Sequence, residues 1–241
     1  MKEAGDREGR GPAANRLLRL LPSQELSAVL AAAEQVQLKR RQILHHWRSP
    51  MEHVYFLNDG LVSVGAKVGE NDYVEAWLIG SEGVVGGILL LTGESRAPAH
   101  RRVVQVGGSA FRLRAANFLR LADRLPTFRK VLHRYLAVLL VQTSQAGVCN
   151  AAHPLKQRLA RWLLVACQVL DDHSVPLTHE VLGDLLGVRR ASVTECLGVL
   201  EREGMINNLR GSIKVTNPEL LKQNCCSCFD VIHREYVRQF G

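Results

Sequence analysis

The residues best able to do chemistry lie between 176 and 215, in PLTHEVLGDLLGVRRASVTECLGVLEREGMINNLRGSIKV. Arg189, Arg190, Ser192 and Thr194 stand together at the start of an apolar-periodic stretch, and Arg210 and Lys214 follow around a Gly-containing turn. A guanidinium donates paired hydrogen bonds to guanine O6 and N7, and serine or threonine hydroxyls reach phosphates or base edges. That chemistry needs a helix that enters the major groove with these residues at its N-terminal end, where free backbone amides also favour phosphate. The surrounding pattern supplies one. Thr178 is a natural N-cap for a short helix with Val181, Leu182 and Leu185 on one face. Gly187 sits where a tight turn between helices needs a residue without Cβ. A second helix follows, with Val193, Leu197 and Leu200 inward. Gly204-Met205-Ile206 then opens a hairpin, with Leu209-Arg210-Gly211-Ser212 at its tip and Ile213-Lys214-Val215 returning. The pattern predicts a winged helix-turn-helix whose DNA-facing residues are Thr178, Arg189, Arg190, Ser192, Thr194, Arg210 and Lys214.

Cysteine chemistry is the second candidate. Cys225-Cys226-Ser227-Cys228 holds a Cys-x-x-Cys, which suits half of a zinc site or a dithiol pair. A tetrahedral site needs two more ligands, and His233 is the one evident neighbour. The favoured reading is a C-terminal helix that packs Cys225, Cys226 and Cys228 as small apolar residues; spacing alone leaves redox or metal sensing open. No metal and no cofactor are expected. His45, His46 and His53 read as surface or turn residues. No Ser-His-Asp spacing, paired-carboxylate motif or Gly-Lys-Ser/Thr phosphate loop is present, so an enzyme is not expected.

These groups need elements to position them. Residues 1–14 read as a charged, Gly-rich disordered tail. From about 36 to 118 the texture is β, with short alternating or apolar runs at His53 to Leu57, Leu61 to Val68, Tyr73 to Ile79 and Arg102 to Val106, separated by turn signals such as Asn58-Asp59-Gly60. That spacing predicts an antiparallel barrel, sandwich or roll. At about 126 the period becomes helical. Phe128, Leu132, Tyr135, Leu139, Gln142, Ala146 and Cys149 recur at alternating spacings of four and three. This is a heptad seam, expected to pair two copies of the chain because a β-domain of this size is too small to cover it. His153-Pro154 ends it. The expected organisation is therefore α+β: a β-roll sensor domain at 15–125, a dimerisation helix at 126–153 and a winged helix-turn-helix domain at 154–241.

Basic residues outnumber acidic ones, 31 to 23, for a net charge of +8 and a pI near 9.5. The excess points to a polyanion but sits in the wrong place to prove it: residues 177–215 hold five basic and five acidic side chains. Placement, not pI, carries the DNA reading. No apolar run approaches the ~18 residues of a membrane helix, and no secretory signal is evident, so no membrane partner and a cytoplasmic location are expected.

On these motifs the chain resembles the Crp/Fnr family of bacterial transcription regulators from about 15 to 235, including the helix Gln157-Arg158-Leu159-Ala160-Arg161-Trp162-Leu163. The resemblance implies a cyclic-nucleotide-binding-like roll, a dimer helix and a winged domain. It further implies a homodimer on a two-fold symmetric site in double-stranded DNA, RNA polymerase as a partner, and a small-molecule effector. Two departures shape the expectation. Cyclic-nucleotide binders carry Gly-Glu-x, then Arg-Ser/Thr-Ala; here the elements read Gly86-Gly87-Ile88 and, approximately, Pro98-Ala99-His100. Without the acid for the ribose and an in-register arginine for the phosphate, cyclic AMP is not the expected ligand, and Gly86, Gly87, Arg101 and Arg102 become the candidate pocket for another. In the recognition helix Arg190 is kept, but Ala191 and Glu195 replace the other two readers of the cyclic-AMP receptor pattern, so a different operator is expected. The rival reading is a cyclic-nucleotide or other small-ligand sensor whose DNA-binding half is weak or vestigial.

Overall fold

The computed structural model describes residues 14–69, 73–170 and 172–241. Nearly all of the tail expected at 1–14, and the centre of the turn at 69–72, lie outside the described residues. The chain opens with a 3-10 turn at Leu18–Leu20 and α1 at Ser23–Ala31. The strands β1 (Glu34–Leu38), β2 (Ile43–His45), β3 (His53–Leu57), β4 (Leu61–Lys67), β5 (Tyr73–Ile79) and β6 (Val84–Val85) follow, then the short α2 (Leu89–Thr92), β7 (Arg101–Val106) and β8 (Gly108–Arg114). Helices α3 (Ala115–Arg124), α4 (Pro126–Ala152) and α5 (Leu155–Leu170) come next. The chain continues through β9 (Ser174–Val175), α6 (His179–Leu186), α7 (Arg190–Arg202), β10 (Ile206–Leu209) and β11 (Ser212–Val215), and ends in α8 (Pro218–Gln223) and α9 (Cys228–Phe240).

The strands before α3 form two four-stranded antiparallel sheets, β1-β8-β3-β6 and β2-β7-β4-β5, which make the roll. The unbroken apolar run of β3 has a structural cause. Val54 and Phe56 face a core shared with the helices, while Tyr55 and Leu57 face the space between the sheets, so both faces of the strand are covered. A third cluster fills the winged domain around Trp162, Leu182, Val193 and Leu197, and reaches into the roll through Leu61 and Leu78. Among the described residues no helix is long and apolar enough to cross a membrane.

Helix α4 starts where Pro126 supplies a preset φ and lacks an amide that would go unpaired. The Glu25 carboxylate of α1 accepts from the Thr127 and Phe128 amides at 3.2 and 2.8 Å, capping that end. Its apolar period is as the sequence predicts, but its partner is not. Phe128, Leu132 and Tyr135 are fully buried in the roll's own core, with Leu139 packed beside them. Gln142 is half-buried, and Ala146 and Cys149 are buried where α9 folds back along α4. The roll covers the first half of the helix and the C-terminal helix covers the second, so the predicted seam is an intramolecular face. The opposite face is the open one: Leu140 is 69% and Val148 53% exposed, with Ser144 exposed between them.

Candidate nucleic-acid interface and the polar interior of the roll

Helices α6 and α7 form the helix-turn-helix. The Thr178 hydroxyl accepts from the Val181 amide at 3.4 Å, so this residue caps α6 as well as standing near the outer face. Gly187 adopts φ 66, ψ 38, the left-handed conformation that ends α6 without a Cβ clash. Gly183 answers a different need: a Cβ there would lie 2.9 Å from the Val188 carbonyl oxygen, so only glycine lets α7 cross this closely. Val193, Leu197 and Leu200 are buried beneath α7. On its outer side Arg189, Arg190 and Thr194 are exposed and Ser192 is half-buried. The wing β10–β11 pairs in register from Ile206↔Val215 to Leu209↔Ser212, and β11 pairs in turn with β9. This holds Arg210 and Lys214 exposed on the same domain. None of Arg189, Arg190, Arg210 or Lys214 is ion-paired among the described residues.

One residue of this face was missed by sequence reasoning. The His179 ring lies 2.9 Å from the Thr194 hydroxyl through Nδ1 and 2.9 Å from Asn208 Oδ1 through Nε2. It thereby joins the first turn of α6 to the recognition helix and the wing. Asn208 donates its amide to Glu201 Oε1 at 2.7 Å, a second link from wing to helix. No local pattern marks His179, because its partners are 15 and 29 residues away.

The candidate ligand residues of the roll divide. Arg101 and Arg102 are neighbours on β7, so their side chains point to opposite faces. Arg101 lines a cleft of about 870 Å³ between the roll and the winged domain, together with Arg40, Arg41, Glu75, Asp184 and Arg189. Arg102 turns inward and is only 4% exposed. Its Nη1 donates to the His100 carbonyl at 3.0 Å, and burial lowers its pKa to about 10, opposed by Tyr135. Gly86 lies against His45, and Gly87 against Val84 and Leu136. Arg102, Gly86 and Gly87 thus belong to the roll interior and Arg101 does not.

His45 is not the surface or turn residue the sequence suggested. It is 5% exposed, with Nε2 2.7 Å from the His53 carbonyl, and burial followed by the Arg102 charge lowers its pKa to about 4. His45 Nδ1 and Trp77 Nε1 are buried without a hydrogen-bond partner, and the Tyr135 hydroxyl is buried against the Val84 backbone. Electrostatic or ring contacts connect all three to Arg102 or to His100 beside it. The interior of the roll therefore holds a cation and unsatisfied polar atoms, and among the described residues no carboxylate is bonded to Arg102.

Residues 157–224 match the family described as the Crp-like helix-turn-helix domain. Over 197 residues the chain is 24% identical to the global nitrogen regulator of Synechococcus elongatus, covering 78% of this chain and 87% of that one. Its fold is similar to that of FixK2 from Bradyrhizobium japonicum, with a TM-score of 0.68 at 16% identity over 80% of this chain and 98% of that one. It is also similar to a transcriptional regulator of the Crp/Fnr family from Thermus thermophilus, with a TM-score of 0.62 at 23% identity over 79% of this chain and 97% of that one. An antiparallel roll, a long helix and a winged helix-turn-helix with a basic outer face define a DNA-binding transcription regulator. Residues 157–224 are thus a Crp-like helix-turn-helix domain, and the whole chain is similar in fold to Crp/Fnr regulators.

Proposed function

We propose that the protein acts as a homodimer that places two copies of α7 in successive major grooves of a two-fold symmetric DNA site, under the control of an anionic effector held inside the roll. The observation that carries the DNA half is the set of exposed, unpaired cations Arg189, Arg190, Arg210 and Lys214 on the recognition helix and wing. Arg190, in the first turn of α7, is the base reader; Arg210 and Lys214 hold the backbone. Thr178, Ser192 and Thr194 complete the contact surface.

Dimerisation is assigned to the open face of α4 rather than to the seam first expected. Leu140, Ser144 and Val148 recur at i, i+4 and i+8, and Ala137 and Val141 flank them half-buried, leaving an apolar stripe with small residues that lets two helices approach closely. Such pairing sets the two recognition helices about 34 Å apart, one DNA turn. Arg102 and the unsatisfied atoms around it support an effector bearing a carboxylate or phosphate. Its binding would shift the population between arrangements of the winged domain on the roll. The bound dimer acts by recruiting or blocking RNA polymerase in the cytoplasm, by binding rather than by catalysis.

The test is selection of duplexes from a random library with the full chain, alongside sedimentation of Leu140→Asp and Val148→Asp. The expected result is an enriched inverted repeat, and a wild-type dimer that either substitution converts to a folded monomer with much weaker operator binding. Failure to enrich any motif overturns the DNA half. A dimer that survives both substitutions overturns the α4 interface.

A further inference from the structure

Three cysteines and a histidine from distant parts of the chain converge where α4 ends and α9 begins. Cys149 lies in the last turn of α4, and His153 caps its C-terminus, donating its amide to the Cys149 carbonyl at 3.2 Å. Cys226 comes from the turn between α8 and α9, and Cys228 is the first residue of α9. All four donor atoms lie within 4.8 Å of one another. Cys149 Sγ is 3.5 Å from Cys226 Sγ, and Cys228 Sγ is 3.6 Å from His153 Nδ1. The three cysteines are buried and His153 is half-buried. Apolar packing accounts for burial of a cysteine; it does not account for four soft donors turned to a common centre. His233, the partner the sequence offered, lies elsewhere, stacked on Phe229.

The spacings discriminate between chemistries. A sulfur–sulfur separation of 3.5 Å is far beyond a disulfide bond of ~2.05 Å. A tetrahedral ion with metal–sulfur bonds of ~2.3 Å holds its ligand atoms about 3.8 Å apart, which is the scale seen here. An iron–sulfur cluster spreads its four protein ligands over two or more irons and needs a wider cage. Three thiolates and an imidazole form a closed, soft donor set that suits zinc and excludes the hard cations that want oxygen. The surroundings fit as well. Gln145 Nε2 donates to Cys228 Sγ at 3.2 Å, an outer bond that orients a ligand sulfur. Three thiolates around a divalent ion leave one net negative charge. The guanidinium of Arg161, itself 8% exposed with its Nε unpartnered, acts electrostatically on the Cys149 sulfur and supplies the balancing positive charge.

We propose that Cys149, His153, Cys226 and Cys228 bind one tetrahedral zinc-class ion that clamps the C-terminal helix to the end of α4. On binding, three S–H protons pass to solvent as three metal–sulfur bonds form, the neutral imidazole donates through Nδ1, and no electron is transferred. The clamp spans His153-Pro154, the break between α4 and the winged domain. The site is separate from the DNA face and from the roll interior, and its existence does not depend on either assignment.

The test uses the full chain purified without chelator or oxygen, with metal content measured by mass spectrometry and Co2+ as a spectroscopic probe. The expected result is about one ion per chain, with Co2+ giving intense sulfur-to-metal charge-transfer bands and tetrahedral visible bands. In competition with a chromophoric chelator, Cys149→Ser and Cys226→Ser should each weaken binding by more than the ~10–100-fold that loss of an outer hydrogen bond costs. Cys167→Ser, outside the set, should leave it unchanged. Should a cysteine variant fail to fold, the wild-type titration and half-buried His153→Ala still decide. Binding no tighter than to Cys149→Ser, a Cys149–Cys226 disulfide in the anaerobic protein, or absorption of a multi-iron cluster in place of the mononuclear ion would each overturn the proposal.

Discussion

The winged domain and the roll both present arginine, in opposite environments. Arg190 stands exposed at the start of α7, hydrated and unpaired. Arg102 is 4% exposed and bonded to the His100 carbonyl, and its charge acts on His45, whose Nδ1 is buried without a partner. An exposed guanidinium costs the fold nothing, and its interaction energy is realised when DNA replaces water. A buried one has already lost its hydration and destabilises the fold until an anion arrives. The first is therefore a specificity device that leaves stability alone. On the function proposed above, the second would couple stability to a ligand. Substitutions at the two sites should move different observables.

The largest effect is expected at Arg190. If Arg190 is the bidentate reader proposed, Arg190→Ala removes ~1–3 kcal/mol, so operator affinity should fall about 5–150-fold and base preference should relax at the contacted position. Tm should not move. Competition gel shifts with operator and with scrambled duplex check both parts, and unchanged preference would break the assignment. Arg102→Leu should do the reverse. Replacing an unpaired buried cation by an apolar side chain should leave the effector-free protein as stable or raise it by ~1–2 kcal/mol, about 2–8 °C in Tm. Stabilisation by anionic ligands should be lost while operator contacts remain. A drop in Tm would show that Arg102 serves the roll as a structural donor and has no ligand role.

The same contrast explains what could be read from sequence. The winged domain is encoded locally: Thr178 caps a helix, Gly187 ends it, and Leu182, Val193 and Leu197 keep a helical period, so α6, α7 and the wing lie within a residue or two of their expected positions. The period of α4 was equally legible, but a period says which face is covered and not by what. Only the long-range return of α9 and the wrapping of the roll reveal that Phe128 to Cys149 face their own chain. The opposed directions of Arg101 and Arg102 follow from strand pleating once β7 is placed, yet their surroundings depend on the pairing of two sheets. Cys149 and Cys226 meet across 77 residues, so no spacing rule could have joined them.

Glu75 tests how the two regions are coupled. It sits on β5, and Trp162 of α5 donates to its Oε1 at 2.8 Å, while Oε2 is buried without a partner. Burial pushes this carboxyl up to about 8, against the opposing pull of the Trp162 bond and the Arg161 charge. The docked arrangement therefore holds a proton that an undocked, hydrated Glu75 would release. Docking is fully favoured below the ordinary carboxylate value of ~4.3 and is weakened as pH rises through about 8. Hydrogen-exchange protection of β5 and α6 should accordingly decline with pH across that window. Glu75→Gln keeps the acceptor and removes the charge, so its protection should be flat. Parallel profiles in the two proteins would mean that Glu75 does not link roll and winged domain.

Lys214 offers the smallest and most specific contrast with Arg190. It lies exposed on β11, opposite Asn207 in the wing, where a flexible ammonium can neutralise a phosphate as a point charge. Such a contact acts through counterion release, which is blind to sequence. Lys214→Ala should weaken operator and scrambled DNA by the same few-fold factor, and should lower the magnitude of the log–log salt slope by about 1. Arg190→Ala should instead hit the operator harder than scrambled DNA. If Lys214→Ala proved as sequence-selective as Arg190→Ala, the wing would be a base reader, and the division of labour between helix and hairpin would have to be redrawn.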